Sequence, residues 1–311
     1  MAVLRAVAAG APRRWLRLRA PSPTGVRILS YNVLSPYIME WYRRLYVETP
    51  TRYRRWQTRL PLVVRDIADQ SPDVVCLQEV DYRSMANDLG PALVRQGYQG
   101  RYARRTSPHS CDGVAIFFRA PMFQEETRTQ RIALDVADGV DNVALAVELR
   151  QQRTGTRFTV ATTHLLFDPA RSDVRMAQLR ALLDRLPDAH PIVLTGDFNS
   201  DPVSPAIRYL TEGGHRLRFR TLYDDHCNRY SSYVAGSWRL VDYIVYGGGG
   251  GGAGHVDVQP SALLQLPMVL GDPRDARPLH PGPMHGSDHF PLAGDFQFQP
   301  VAGGAPLRSS A

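Results

Sequence analysis

From Val26 onward, the apolar residues of this chain come in short runs that turn residues separate from one another. The runs are rich in Val and Ile, which is typical of strands buried on both faces. Helical patterns lie between several of them, at residues 52–70, 82–96, 173–186 and 203–212. Short buried strands interleaved with helices predict a layered α/β domain. The runs are VRILSYNV, DVVCLQEV, GVAIFF, NVALAVEL, RFTVATTHL, PIVLTGDF, LVDYIVY and HFPLAGDFQF.

The composition is that of a globular chain. With 311 residues, of which 43% are hydrophobic, the chain can build a sizeable core. No apolar run approaches the roughly 20 residues that cross a bilayer, because Arg, Asp or Pro interrupts each one. The three cysteines, Cys76, Cys111 and Cys227, are far apart and show no CxxC spacing. We therefore expect a reducing compartment, no zinc site and no membrane span.

The basic residues give a weak indication of the partner. All 37 of them are Arg, and the formal net charge is +7. The planar guanidinium suits phosphate oxygens, so this composition favours a polyanionic partner such as a nucleic acid. A GC-rich coding bias explains the missing Lys equally well, and the charge alone therefore decides little.

The N-terminal residues resemble a targeting segment. Residues 1–20 contain five Arg, and the first acidic residue of the chain is Glu40. This is typical of a mitochondrial transit segment, although Ser is scarce, and a disordered Arg-rich leader is the alternative. Either way we expect residues 1–24 to lie outside the fold, and the protein to be intracellular, in the cytoplasm or the mitochondrion.

The rest of the chain shows no internal repeat and no break in composition that would divide it. We assign residues 25–298 to one domain and 299–311 to a disordered tail. Within the domain, residues 247–283 contain a run of Gly followed by a Pro-rich stretch. This composition predicts an irregular surface loop.

Acidic and hydrogen-bonding residues stand at the ends of the apolar runs. Because neighbouring strands end at one edge of a sheet, such residues converge on one rim if their strands lie side by side. One rim can then carry one site. The residues are Asn32, Glu79, His164, Asp197, Asn199, Asp242, Asp288 and His289.

The motif PIVLTGDFNSDP carries two of these residues after an apolar run. Asp197 and Asn199 are two residues apart, so on an extended backbone their side chains share one face and can reach one point. The alternative is a strand-ending turn, since Gly, Asp, Asn, Ser and Pro are the turn residues.

These residue types together indicate hydrolysis of a phosphate ester with Mg²⁺. Glu79 and Asn32 offer hard oxygen ligands, few enough for Mg²⁺ to keep waters and accept a phosphate oxygen. His164 and Asn199 can donate to the phosphate oxygens as charge builds there, and Asp197 can orient or deprotonate the attacking water.

A further pair supplies acid chemistry. His289 with Asp242 forms a carboxylate-oriented imidazole, which suits a general acid or a charge stabiliser. Each residue alone has a structural explanation: a solvated loop Glu, a hydrogen-bonded core His, or Asp288 capping a turn. Their joint occurrence at strand ends is what favours a site.

An ordered series of motifs resembles the signatures of the endonuclease/exonuclease/phosphatase superfamily. The motifs are SYNVLS, CLQEV, DGVAIFF, TTHLLFDP, LTGDFNSDP, VDYIVY and GSDHFPL. Within that superfamily they are most similar to the branch that holds the Ccr4-type deadenylases, nocturnin and the Angel proteins. DNVAL and HLLFDPARSDVRMAQL are most similar to Angel, whereas YSSYVAGSWRLVDYI is also similar to the mitochondrial 2′-phosphodiesterase. The resemblance implies a four-layer α/β sandwich, with two packed mixed β-sheets flanked by helices, as in deoxyribonuclease I-like enzymes.

The resemblance also implies a role for each residue of the metal and phosphate side. Mg²⁺, with Mn²⁺ as an alternative ion, is expected on Glu79 with help from Asn32. Asp288 is expected as a further acidic or metal-side group. Phosphate binding is expected on His164 and Asn199.

On the other side, the family pattern puts Asp197 at the attacking water and the pair of Asp242 and His289 opposite it. Asn142 and Arg175 would face the substrate phosphate. Ccr4-type deadenylases also carry an aromatic residue shortly before the DYIF motif, which stacks on a base. The nearest candidate here is Trp238, for which a surface or edge position is the alternative.

Four functions are compatible with this inventory. The first is a Mg²⁺-dependent 3′–5′ exoribonuclease acting on RNA 3′ ends, with poly(A) among its substrates. The second is an Angel-like phosphatase that opens RNA 2′,3′-cyclic phosphates, since both need a held phosphate and an attacking water. The others are a lipid or dinucleotide phosphoesterase and an inactive RNA- or translation-factor-binding module. We expect a monomer with an RNA substrate, without the leucine-rich-repeat scaffold contacts of Ccr4 deadenylases.

Overall fold

The computed structural model describes residues 13–126, 129–223, 229–234, 236–248, 256–267 and 281–300. Two seven-stranded sheets form its centre. The strands of sheet 1 are β1 (Trp15–Arg17), β2 (Val26–Asn32), β3 (Val74–Gln78), β4 (Tyr98–Arg104), β5 (Gly113–Arg119), β15 (Val256–Leu264) and β16 (Leu292–Pro300). Their spatial order is β1-β15-β16-β2-β3-β5-β4.

Sheet 2 has the order β11-β14-β10-β9-β8-β6, and β7 pairs with β8 beside this path. Its strands are β6 (Phe123–Glu125), β7 (Gln130–Ala133), β8 (Val143–Gln151), β9 (Arg157–His164), β10 (Ile192–Asp197), β11 (Arg218–Thr221) and β14 (Asp242–Gly248). A separate two-stranded ribbon pairs β12 (Ser232–Val234) with β13 (Ser237–Arg239).

Helices cover the outer face of each sheet. None of those in the described part of the chain is long and apolar enough to span a membrane. They are α1 (Pro36–Trp41), α2 (Thr51–Arg54), α3 (Trp56–Ala68), α4 (Tyr82–Asn87), α5 (Leu89–Arg95), α6 (Ser172–Arg185) and α7 (Pro205–Glu212), with a 3₁₀ helix at Arg43–Tyr46.

The strands are apolar along their whole length because both of their faces are covered. In β2, Ile28 points into the core between the sheets, whereas Leu29 and Tyr31 pack against the helices that cover sheet 1. In β10, Val193 faces the other sheet and Leu194 faces the layer of α6 and α7. The alternation of a strand sends successive side chains into two separate cores. This confirms the four-layer α/β sandwich.

Both sheets are mixed, and this decides which strand ends meet. β2 and β3 run parallel, as do β9 and β10, so their carboxyl ends share an edge. β14 runs antiparallel to β10, and β16 runs antiparallel to β2. Asp242 begins β14 and His289 precedes β16, so neither stands at a carboxyl end. Antiparallel pairing brings them to the same edge.

The expectation that residues 1–24 lie outside the fold was wrong for residues 13–24. Strand β1 pairs antiparallel with β15. The Trp15 ring lies under the Arg27 guanidinium at 4.1 Å, and its indole N–H donates to Gln70 at 3.2 Å. An edge strand needs only one partner, so three residues with two exposed side chains suffice. Residues 1–12 lie outside the described part.

The expected loop at 247–283 was also wrong in part, because residues 256–264 form β15 between β1 and β16. The sequence VDVQPSALL reads as a loop since Pro260 interrupts it. The structure accommodates this Pro at a register shift in the pairing with β16. Strand β16 in turn runs to Pro300, beyond the expected boundary at 298. Residues 249–255, 268–280 and 301–311 lie outside the described part.

Candidate active site

The ends of β9, β10 and β14 stand in register at one edge of sheet 2. Asp197 pairs with His164 on one side and with Asp242 on the other. Gly196 permits this close approach, because a Cβ added there would lie 2.1 Å from the carbonyl oxygen of Thr163, and its φ is 146°. The Gly of the GDFN motif thus allows two strand ends to come together beside the Asp.

Asn32 connects the two sheets at this edge. Its Nδ2 donates to Glu79 Oε1 at 3.0 Å and to Asp197 Oδ2 at 3.1 Å. Its own Oδ1 accepts from the backbone N–H of Leu34 at 3.0 Å, which fixes the orientation of the amide. One buried amide therefore places carboxylates from β3 and β10 next to each other across the sandwich.

Two of the candidate residues adopt a left-handed backbone. Glu79 has a φ of 54° and Asn199 a φ of 46°. Such conformations cost of order 1–3 kcal/mol and persist where the surroundings enforce them. Here the Ser35 N–H donates to Glu79 Oε2 at 3.1 Å, and the Asn199 N–H donates to Asp197 Oδ1 at 2.9 Å. The chain turns sharply at both strand ends and holds these side chains at the site.

His289 is held as a charged donor. Its Nδ1 donates to Asp242 Oδ2 at 2.8 Å, and its Nε2 lies 3.7 Å from Asp197 Oδ2. Burial opposes the charge on the ring, but the carboxylates around it, led by Asp242, raise the pKa of His289 well above its ordinary value. Nε2 therefore carries a proton that faces Asp197.

His164 is held in the opposite state. Burial, with Arg105 and His289 as neighbouring cations, lowers the pKa of His164 to about 3. The ring is thus neutral, and its Nε2 accepts from Asn199 Nδ2 at 3.0 Å, which places the proton on Nδ1. The Asn199 amide also donates to the carbonyl oxygen of Leu165 at 3.0 Å. To donate to a phosphate, as the sequence predicts, this amide would have to exchange a partner.

The site concentrates buried carboxyl groups. Glu79, Asp197, Asp242 and Asp288 are each at most 7% exposed. Burial, and then the charge of Asp288, raises the pKa of Glu79 to about 8. Burial, and then the charge of Asp242, raises the pKa of Asp197 to about 7. Hard oxygen donors that repel one another are the set that a divalent cation stabilises, so the residues fit such an ion.

One compact group of potential ligand atoms includes His289. Among the described residues, Asp197, Asp242 and His289 bring potential ligand atoms within 4.8 Å of one another. A protonated imidazole cannot bind a metal, however, and His289 uses Nδ1 on Asp242. While it holds this proton, His289 is a hydrogen-bond donor and not a metal ligand.

Glu79, Asp197, Asp288 and His289 line a cavity of about 390 Å³. Glu79, His164 and Asp197 line its floor, together with Asp288, whose Oδ2 accepts from the Tyr46 hydroxyl at 2.8 Å. The wall is largely apolar. Its lining includes Ile38, Tyr42, Leu45, Leu165, Phe167, Pro169 and Val234. The cavity thus has a polar floor and an apolar mouth.

The predicted substrate-binding residues have separate places. Asn142 lines the cavity, but its side chain donates to the His164 carbonyl at 2.9 Å and accepts from Gln178 at 2.9 Å. Arg175 is 6% exposed and donates to the carbonyl oxygens of Leu166, Asp168 and Pro169. It therefore holds the loop that forms the cavity wall.

Trp238 packs in an aromatic cluster, stacked on Phe290 with ring centroids 6.2 Å apart. Neither Trp238 nor Arg175 is among the described residues that line the cavity. Arg239, which follows Trp238 in the chain, does line the cavity, although the sequence analysis did not predict a role for it.

Sequence reasoning missed three residues that shape the site. Ser35 donates its backbone N–H to Glu79, Tyr46 donates to Asp288, and Arg105 lines the cavity. Ser35 before Pro36 is a readable helix-start signal. Tyr46 and Arg105 carry no such signal, because each follows a segment without a recognisable period.

The comparisons with known proteins agree with this geometry. The model of the "Endonuclease/Exonuclease/phosphatase family" matches residues 29–289. The chain belongs to this family. Its members generally use a divalent metal ion.

The relatives within the family are Angel and Ccr4 proteins, as the motifs predicted. The chain is 32% identical to Protein angel of Drosophila melanogaster, over 91% of this chain and 86% of the relative. It is 34% identical to carbon catabolite repressor protein 4 homolog 3 of Arabidopsis thaliana, over 59% of this chain but only 42% of that protein.

Among solved structures, the fold is similar to the crystal structure of ANGEL2, a 2′,3′-cyclic phosphatase, in complex with adenosine-2′,3′-vanadate. The TM-score is 0.78 at 25% identity, and the match covers 92% of this chain and 98% of the other. The predicted superfamily, its Angel-like branch and the deoxyribonuclease I-like sandwich are confirmed.

Proposed function

We propose that this chain is a divalent-metal-dependent phosphoesterase that opens 2′,3′-cyclic phosphates at RNA 3′ ends. The observation that carries the proposal is the agreement of fold and branch with ANGEL2, itself a 2′,3′-cyclic phosphatase, over nearly the whole chain. The cavity supports it, because its acidic floor suits a divalent ion that can hold a phosphate, and its apolar wall suits a nucleoside.

In this proposal Glu79 and Asn32 hold the ion, with Asp288 on the same side. A bound divalent ion neutralises the phosphate and polarises it toward attack. Asn32 would also orient the Glu79 carboxylate, which accepts one of its amide hydrogens at 3.0 Å. Mg²⁺ is the expected ion, since hard oxygen ligands outnumber all others here.

Asp197 of sheet 2 and His289, which precedes β16, carry out the proton transfers in this proposal. Water attacks phosphorus and passes a proton to Asp197, while the bond from phosphorus to one ribose oxygen breaks. His289 gives the Nε2 proton to that leaving oxygen, which becomes a hydroxyl. The contact of His289 Nδ1 with Asp242 at 2.8 Å supports the acid role, because it leaves Nε2 as the nitrogen that can donate to the substrate.

A second candidate is the 3′–5′ exoribonuclease that the sequence placed first, with poly(A) as a substrate. The similarity to the Ccr4 homolog supports it, and the same residues would serve. Both reactions need a held phosphate, an attacking water and a protonated leaving oxygen.

End-labelled RNA distinguishes the two. Purified protein is incubated with Mg²⁺, or with Mn²⁺, and with RNAs that carry either a 2′,3′-cyclic phosphate or a 3′-hydroxyl poly(A) tail. Loss of the cyclic end without shortening supports the phosphatase, and a ladder of shortened products supports the exoribonuclease. If neither RNA changes, the proposal fails, and a lipid or dinucleotide phosphoesterase or an inactive binding module becomes the better interpretation.

A further inference from the structure

In the part of the chain that the structure describes, the exposed aromatic residues lie at or beside the mouth of the cavity. In the residues that the structure describes, the aromatic side chains among the exposed large hydrophobics are Trp41 at 68%, Tyr42 at 38% and Phe167 at 39%. Tyr42 and Phe167 line the cavity, and Trp41 lies next to Tyr42 in sequence. Scattered exposed apolar residues need no explanation, but a cluster beside a site indicates a binding surface.

A second depression, of about 630 Å³, adjoins the cavity. Ile38, Tyr42 and Arg105 line both, so the two form one continuous groove with these residues at the divide. Tyr37 and Trp41 line the far side, with ring centroids 5.9 Å apart. The inner cavity lies at the small end of the roughly 300–1,000 Å³ typical of ligand pockets. A longer ligand would therefore leave it across Tyr42.

Helix α1 fixes the position of Tyr37 and Trp41 relative to the site. Ser35 donates its backbone N–H to Glu79 at 3.1 Å, and its hydroxyl accepts from the Tyr37 N–H at 3.1 Å to cap α1. Trp41 is the last residue of that helix. At the divide, the Tyr42 ring meets Phe167 with centroids 5.6 Å apart. The rings thus have defined positions relative to the catalytic carboxylates.

Positive charge accompanies the rings. Arg43 and Arg44 follow Tyr42 directly and are exposed. Arg105 lines both depressions and forms ion pairs with Asp141 and, at 3.9 Å, with Asp112. Exposed rings along a groove, with Arg residues beside them in the chain, resemble the sites that bind single-stranded nucleic acid, in which bases stack and phosphates meet cations.

We propose that Tyr37, Trp41 and Tyr42 form a stacking platform for the nucleotides that precede the reacting 3′ end of a single-stranded RNA. This inference rests on the proposed function, since it takes RNA as the substrate. It assigns the inner cavity to the terminal nucleotide and the outer depression to the nucleotide before it. Longer RNAs should then bind more tightly than the mononucleotide with the same 3′ end.

Tryptophan fluorescence tests the platform without requiring turnover. With a chelator present, a short single-stranded RNA is titrated into the wild-type protein and the variants Trp41→Phe, Trp41→Ala and Val203→Ala. RNA should quench the wild type and quench Trp41→Phe less, because stacking acts on the indole at position 41. Trp41→Ala should weaken binding by about 5- to 150-fold, the range for one stacked base, and Trp41→Phe should largely restore affinity.

The control residue, Val203, is 71% exposed and is not among the described residues that line the groove, so Val203→Ala should bind like wild type. With Mg²⁺ present, Trp41→Ala should also lose the advantage in kcat/KM of a cyclic-phosphate oligonucleotide over adenosine 2′,3′-cyclic phosphate. This ratio separates the platform from general damage, because a misfolded variant loses activity on both substrates.

The outcomes separate the platform from the proposed function. Quenching of Trp41 by a cyclic-phosphate RNA whose 3′ end stays unchanged after Mg²⁺ or Mn²⁺ is supplied would support the platform and overturn the proposed function. Turnover of RNA with affinity and length advantage unaltered in Trp41→Ala would overturn the platform and leave the function standing. A change of oligomeric state in Trp41→Arg, with unchanged RNA affinity, would assign the surface to a second copy of the chain and overturn the platform.

Discussion

Replacing His289 by Ala is expected to lower the single-turnover rate by about 10²–10⁴-fold, the usual range for a positioned general acid or base. Nδ1 of the ring donates to Asp242 at 2.8 Å, so only Nε2 can reach a substrate oxygen. RNA affinity should change little, because the lost contact strengthens as the leaving oxygen develops charge. Rapid-quench measurement with cyclic-phosphate RNA gives the rate of the bound complex directly.

The same substitution should also destabilise the protein. The side chains of His289 and Asp242 are 8% and 4% exposed, so removing the imidazolium leaves a buried carboxylate without its partner. Breaking such a pair costs about 3–5 kcal/mol. A lower melting temperature alone therefore does not distinguish a structural from a catalytic role, and the rate of the folded fraction has to be compared. His289→Gln, which retains a hydrogen-bond donor, is the matched variant for stability.

Asp242→Asn separates charge from position. The amide preserves the shape of the site but removes the charge that raises the pKa of His289. The pKa of the ring should then fall, so the loss of rate should be larger at high pH than at low pH, where the ring regains its proton. The double variant should be far from additive, because the two residues act as one unit. A wild-type rate in the folded fraction of all three variants would remove His289 from the reaction.

Three further predictions follow from the buried acids and the N-terminus. Glu79→Ala should abolish turnover at saturating Mg²⁺ while leaving the fold intact, and near-normal activity would refute the metal assignment. With a chelator present, the melting temperature should decrease as the pH is raised from about 5 to about 8. Because the pKa values of Glu79 and Asp197 are raised, the folded state binds more protons than the unfolded state over this pH range, and raising the pH destabilises it. Glu79→Gln should make the melting temperature depend less on pH. A melting temperature that rises with pH would contradict this reasoning. If the leader targets mitochondria, a fusion of residues 1–30 should carry a reporter there, and a diffuse cytosolic reporter would argue against targeting. The mature chain should still contain β1.

The sequence predicted the strands that are covered on both faces and missed those at the edges. Val26–Asn32 and Ile192–Asp197 are apolar at almost every position because each face meets a separate core. β4 and β15 carry charged or polar residues on alternate positions, and Pro260 interrupts β15. An edge or near-edge strand needs fewer apolar residues, so its local sequence is hard to distinguish from a loop.

The polar residues of the site were predictable because strand ends are visible in sequence and one edge gathers them. The supporting contacts were not, because they join segments far apart in the chain. Tyr46 donates to Asp288 across 242 residues of sequence. Arg175 donates to the carbonyl oxygen of Asp168 in a loop, whereas the family pattern would have it face the substrate phosphate. Register and side-chain direction decide such contacts, and both are properties of the packed structure.

Two residues of one type at one edge of the sandwich illustrate what packing adds. His164 and His289 are both buried, and burial alone would keep both rings neutral. β14 starts at the same edge because it runs antiparallel to β10, and so it delivers Asp242 to Nδ1 of His289. His164 receives an amide from Asn199 instead and stays neutral. The direction of one strand therefore makes His289 a proton donor, while His164 stays a neutral acceptor. Reversing the charge at position 242 should make the two rings alike in protonation state.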